Sequence, residues 1–161
     1  MKKIILYFFL ILSSSILAQE NAEIKDFFWG ENDQFKNSVT IPEKWKNESA
    51  VIVYKFEYYK YHKFGASVTY TSGIRKRVKL LDQAAVTAFS EFSMKSNFYS
   101  FKGMYSFRKG TNTIGIKIIK ADTKIVEIDF DKDAKEVDGV KKIAIANLEI
   151  GDIIDYYYYS V

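Results

Sequence analysis

Cysteine is missing from all 161 residues. That excludes disulfides, thiolate metal sites and a cysteine nucleophile within the chain. Histidine occurs once, at His62, and proline once, at Pro42. A lone histidine offers neither a metal set nor a base paired with a legible nucleophile, so His62 is read as a surface residue near a turn. No Ser, His and Asp arrangement, no carboxylate pair with an acid and base split, and no phosphate loop is found. The chain is therefore expected to be no enzyme by itself and to need no cofactor. After residue 18 no apolar run is long enough to cross a bilayer, which takes about 18 or more residues.

What is present begins with an address. MKKIILYFFLILSSSILAQ carries Lys2 and Lys3, an apolar run from Ile4 to Leu12, three serines, and Ala18 before Gln19. This is the pattern of a secretory signal peptide, with cleavage expected between Ala18 and Gln19. The expected location is outside the cytoplasm, in the periplasm or at the cell surface. Of 24 lysines and arginines, Lys2 and Lys3 leave with the signal, so 22 basic side chains face 20 acidic ones. A balance that close to neutral gives no electrostatic reason to expect nucleic acid.

Residues 19–44 are polar and mixed and are read as an irregular lead-in. From residue 45 a β-rich domain is expected. In AVIVYKFEYYKY, from Ala50, β-branched and aromatic residues dominate, as they do in strands. In SVTYTSGIRKRVKLL, period-two geometry puts Ile74, Lys76, Val78 and Leu80 on one face and Arg75, Arg77 and Lys79 on the other. The basic row is read as a solvated face, with an anion-binding role as the rarer alternative. Asp82 is a good N-cap, and Leu81, Ala85, Ala88 and Phe92 share one helical stripe, so a helix is expected over about residues 82–94. Short strands resume after Ser100, with a hairpin turn at KADTK, Lys120–Lys124. A last pair, VKKIAIANL and DIIDYYYY, is joined through Gly151. The pattern predicts a mostly β fold, an antiparallel β-sandwich with one short helix.

Asp129, Asp131 and Asp133 have the alternate spacing with which a calcium loop begins. Ala134 stands where that loop needs glycine and Val140 where it needs glutamate, so an acidic strand end is the better reading. The abundance of tyrosine and phenylalanine is compatible with sugar stacking, but tyrosines inside strands are read first as packing residues. A stand-alone domain binding an envelope glycan or peptide is the alternative kept open.

Two stretches together, IPEKWKNESAVIVYKFEYYKY from Ile41 and KKIAIANLEIGDIIDYYYY from Lys141, with IRKRVKLLDQAAVTAFSEFS between them, resemble the domain of unknown function 3857. The sharpest element is the turn and strand through Gly151, Asp152 and Asp155. The resemblance implies an N-terminal accessory domain of an exported, multi-domain protein of Bacteroidetes-type bacteria. A transglutaminase-like domain would follow it, and the chain would continue past Val161. It implies no catalytic residue here. Ile153, Tyr157 and Tyr159 alternate with Ile154, Tyr156 and Tyr158, so the last strand is apolar on both faces and wants cover on both. Left as an edge it would invite aggregation. Tyr156, Tyr157, Tyr158 and Tyr159 are the candidate surface for the downstream domain or a ligand.

Overall fold

A computed structural model describes residues 21–31, 33, 40–95, 98–101, 107–110 and 112–161. Ala18 and Gln19 lie outside them. Two units are distinguished, Met1–Lys36 and Asn37–Val161. In the first, residues 21–29 form a helix, α1. The expected irregular lead-in is corrected here: Ile24 and Phe28 sit four apart on one helical face, among residues that propagate helix well.

The second unit opens with a 3-10 turn, Glu43–Trp45, and then follows antiparallel pairing throughout. Strands β1 (Ala50–Phe64) and β2 (Ser67–Leu80) form a long hairpin. Helix α2 (Gln83–Ala88) leads to β3 (Glu91–Lys95). Next come β4 (Phe98–Phe101), β5 (Phe107–Gly110), β6 (Asn112–Ile119) and β7 (Ile125–Ile128). Helix α3 (Phe130–Asp133) precedes β8 (Lys135–Val137), β9 (Val140–Ala144) and β10 (Ile153–Ser160). A five-stranded sheet has the order β1-β2-β10-β6-β7, a three-stranded sheet the order β3-β9-β8, and β4 pairs with β5. The mostly β, antiparallel expectation holds.

The core fills the space between one face of the large sheet and the smaller sheet. Val78 and Leu80 from β2, Ile154 from β10 and Ile116 and Ile118 from β6 meet Phe92 and Met94 from β3, Ile143 from β9 and Val86 from α2. Leu80 and Ile154 have no exposed surface. Each such side chain contributes about 1.5–3 kcal/mol relative to exposure.

The helix expected over 82–94 stops at Ala88, although its start is as expected. Asp82 accepts the N–H of Ala85 at 2.8 Å. From Glu91 burial alternates strictly, with Phe92 and Met94 inward, and β3 pairs with β9 from Glu91↔Ala144 to Lys95↔Val140. Phe92 fits both periods, four from Ala88 as a helix residue and two from Met94 as a strand residue. Pairing with β9 decides it, since the strand buries Met94 as well. The acidic run at Asp129–Asp133 is also a helix rather than a strand end. Asp129 caps α3 by accepting the N–H of Lys132 at 3.1 Å.

The terminal strand is the middle of the large sheet, not an edge. Pairs from Ile153↔Lys79 to Ser160↔Ser72 join β10 to β2, and pairs from Ile153↔Ile119 to Ser160↔Asn112 join it to β6. Its apolar character on both faces is that of a doubly flanked central strand.

Candidate functional site

Strand β10 positions two polar constellations, and both involve aspartates of the expected motif. The first lies at the turn before the strand. Gly151 has φ +96°, a conformation that L side chains rarely adopt. Its N–H donates to the carbonyl of Leu80 at 2.8 Å, and the N–H of Leu80 donates to the carbonyl of Asp152 at 2.9 Å. The turn is thus fastened to the end of β2. Asp152 is wholly buried. One of its carboxylate oxygens accepts the N–H of Glu149 at 2.9 Å and the ammonium of Lys120 at 2.7 Å. Lys120 also donates to the carbonyl of Asn147 at 2.9 Å and sits 2.9 Å from Glu149. Its pKa is raised, first by the bond to Asp152 and then by that to Glu149. The lysine stays charged and ties the KADTK hairpin to the β9–β10 turn.

The second constellation lies on the face of the large sheet turned away from the core. Asp155 stands opposite Arg77 on β2 and Lys117 on β6, and Tyr157 stands opposite Arg75 and Gly115. Arg75 clasps Asp155 with both arms, Nε to Oδ1 at 2.8 Å and Nη2 to Oδ2 at 2.7 Å. Arg77 Nε lies 3.2 Å from Oδ2 and Lys117 Nζ lies 3.8 Å from it. Arg75, Arg77 and Asp155 are 2%, 1% and 0% exposed. The expected solvated basic face is therefore corrected for two of its three members. Period two placed Arg75 and Arg77 on one face correctly, but a carboxylate some eighty residues away pairs with both and neither is left solvated.

Arg75 also lies over the Tyr54 ring, 5.2 Å from its centre, an arrangement favourable to a cation on a π face. Such a cluster is held by geometry. The carboxylate uses both oxygens, and the bidentate fork matches the guanidinium plane.

The four tyrosines divide between the two faces. Tyr156 and Tyr158 pack against the core cluster, with Tyr156 edge-on to Phe92 at 5.0 Å between ring centres. The Tyr158 hydroxyl donates to the carbonyl of Ser93 at 3.2 Å. Tyr157 is buried on the opposite face, and its ring lies where a side chain at Gly115 would be, since a Cβ there would come within 2.3 Å of it. Burial, with the Glu127 charge as a smaller influence, pushes the Tyr157 phenol up to about 12. Burial raises Tyr156 and Tyr158 as well. Tyr156, Tyr157 and Tyr158 are spent mainly on packing, and burial holds their phenols protonated at neutral pH.

Elsewhere the candidates stand apart. His62 is exposed, its Nε2 3.2 Å from the Thr71 hydroxyl. Asp131 pairs with Lys141 at 3.0 Å, and no cluster of three metal-ligating side chains occurs among the described residues. Sequence reasoning missed the pairing of Asp155 with Arg75. A signal was there, because an aspartate inside an otherwise apolar IIDYYYY run needs a buried cation.

Exposed apolar surface gathers instead on the far half of the β1–β2 hairpin. Tyr59, Tyr61, Val68 and Tyr70 are all more than half exposed. The pairs Tyr59↔Ser72, Tyr61↔Tyr70 and Lys63↔Val68 put them on one face, with the rings of Tyr61 and Tyr70 6.2 Å apart. Among the described residues β10 pairs with β2 from Lys79 to Ser72.

No protein-family model matches the chain. No curated protein sequence matches it either. Among solved structures, one described as a "putative protease" from Parabacteroides distasonis is similar, with a TM-score of 0.42 and 16% identity over 56% of this chain. The match spans 19% of that protein's length. No helix among the described residues is long and apolar enough to cross a membrane.

Proposed function

We propose that the chain is a non-catalytic accessory domain of an exported multi-domain protein, belonging with the domain of unknown function 3857 and packing against a downstream transglutaminase-like domain. The observation that carries this reading is what the Gly151, Asp152 and Asp155 segment does. Its turn is fastened to β2, its strand is the sheet's centre, and both aspartates take part in buried ion networks. Gly151, Asp152 and Asp155 thus serve the framework of the sheet, which supports an architectural role.

The docking role moves away from the tyrosines of β10, which are half-buried or buried. The exposed Tyr59, Tyr61, Val68 and Tyr70 face of the β1–β2 hairpin suits it better, because contiguous apolar surface of this kind marks interaction sites. Export rests on the residues around Ala18 and Gln19.

Assays of the isolated chain for peptide hydrolysis and for acyl transfer between glutamine and lysine side chains test the non-catalytic claim. No turnover above a heat-inactivated control is expected. Reproducible turnover that tracks the purified chain through two chromatographic steps overturns it.

A further inference from the structure

The end of the β1–β2 hairpin combines exposed aromatic rings with unopposed positive charge. Its last four pairs run from Tyr61↔Tyr70 to Phe64↔Ser67, and Gly65 and Ala66 close the turn. A Cβ at Gly65 would have no described atom within 4 Å, and Lys60, His62, Lys63 and Ala66 are exposed. Tyr61, Val68 and Tyr70 are each more than half exposed. From Tyr58 to Leu81 the sequence holds no aspartate or glutamate. The nearest acid before that stretch, Glu57, is paired with Lys55 at 2.6 Å. Lys60 and Lys63 have no carboxylate at ion-pair distance among the described residues.

The cations are divided between the two faces of the hairpin. Lys63 shares the face of Tyr61, Val68 and Tyr70, whereas Lys60 and His62 alternate onto the other, opposite Thr71 and Thr69. A partner seated on the tyrosine face would meet Lys63 and leave Lys60 outside the contact. A negatively charged plane approached end-on meets both.

We propose that the end of this hairpin attaches to the surface of an anionic lipid bilayer. Tyrosine rings, with an apolar body and a polar tip, are enriched where membrane meets water. Lysine stems lie along apolar surface while their ammonium groups reach outward, and each one near an anionic leaflet adds attraction. The dimensions agree. Three steps of about 3.3 Å, roughly 10 Å, separate the Tyr61↔Tyr70 pair from the Phe64↔Ser67 pair. An interfacial segment sinks about 5–10 Å into the boundary between headgroups and acyl chains. At that depth the turn and Val68 enter the boundary, and the rings of Tyr61 and Tyr70 come level with the headgroups. The contact is an attachment to the surface and not a crossing. It is made by the hairpin's end and does not rest on the accessory-domain reading, so the failure of either leaves the other in place.

The absence of cysteine supplies the test, because one introduced cysteine carries an environment-sensitive fluorophore at a single chosen point. Full-length chains labelled at Ala66→Cys, or for reference at Glu136→Cys on β8, are titrated with vesicles of phosphatidylcholine alone and with vesicles in which one quarter of the lipid is phosphatidylglycerol. Emission from residue 66 should shift to the blue and saturate at about thirtyfold less lipid on the anionic vesicles, the factor that two lysines near such a surface supply. High salt should erase that difference. Residue 136 should stay in water. Attachment through the apolar run from Ile4 to Leu12 alone would leave residue 66 in water too, so it does not imitate the expected result. The double variant Lys60→Glu, Lys63→Glu should lose the preference for anionic vesicles. Tyr61→Ser with Tyr70→Ser should weaken attachment to both vesicles alike, with the far-ultraviolet circular dichroism unchanged. The proposal is overturned if residue 66 stays in water, responds equally to the two vesicles, or responds no more than residue 136, or if the lysine variant keeps the preference. A response at residue 66 to soluble polyglutamate or to an acidic polysaccharide, with none to vesicles, also overturns it and assigns the charge to a protein or glycan partner.

Discussion

Replacing Asp155 by asparagine keeps the size of the side chain and removes its charge, and this is the change to which the fold should be most sensitive. The carboxylate touches Arg75 through two bonds, at 2.8 and 2.7 Å, and stands 3.2 Å from Arg77, with all three groups essentially without exposed surface. Breaking a buried pair by removing one partner costs about 3–5 kcal/mol, because the remaining charge stays desolvated without its counter-charge. Asparagine can still accept hydrogen bonds, so the lower end, about 3 kcal/mol, is expected. Domains have only about 5–15 kcal/mol in total. For a unit of this size each kcal/mol moves Tm by about 3–5 °C, so a drop of roughly 10–15 °C follows. Urea unfolding monitored by far-ultraviolet circular dichroism, with thermal melts alongside, measures it. A variant within about 0.5 kcal/mol of the parent would refute the reasoning, since surface charges change stability on that scale. A companion, Asp155→Leu with Arg75→Met and Arg77→Leu, should recover much of the loss, as apolar replacements of whole buried ion clusters do.

Other perturbations probe other parts. Gly115→Ala sets a methyl against the Tyr157 ring, 2.3 Å from its nearest carbon, and should cost about 1–3 kcal/mol in the same urea assay. Pairing it with Tyr157→Ala should recover part of that loss. Gly151→Ala forces an L side chain to φ +96° with only ordinary contact to Ala121 Cβ at 3.7 Å, so a backbone cost of about 1–2 kcal/mol is expected with no change in the near-ultraviolet spectrum. The raised Tyr157 phenol makes stability pH-dependent at the alkaline end. Below about pH 10 it is protonated in folded and unfolded chains alike and contributes no slope. Between pH 10 and about 12 only the unfolded chain releases the proton, so stability should fall by about 1.4 kcal/mol per pH unit from this group. Tyr157→Phe should remove that part of the slope.

Much of the architecture could be read from local pattern. β1 and β2 declared themselves by β-branched and aromatic density, and the faces of β2 followed from alternation. The Asp82 cap and the Gly151 turn were legible because capping and positive φ are local chemistry. What failed was set by distance along the chain. Nothing within β2 says that Arg75 and Arg77 will meet Asp155, and a strand flanked on both sides reads the same whether it closes a chain or opens one. Phe92 obeyed two periods at once, and only the partner strand β9 chose between them. Residues 21–29 were misread because mixed polarity was taken for irregularity, although Ile24 and Phe28 stood one helical turn apart.

The central claim is that this chain is an architectural part of a larger exported protein. It is tested most directly by immunoblotting fractionated cells that make the protein with an antibody raised against residues 45–161, followed by mass spectrometry of the captured species. An envelope or periplasmic species well above the 18.7 kDa of these 161 residues, beginning at Gln19 and yielding peptides from beyond Val161, is expected. A species no larger than residues 19–161, or one retained in the cytoplasm with Met1 intact, would contradict it.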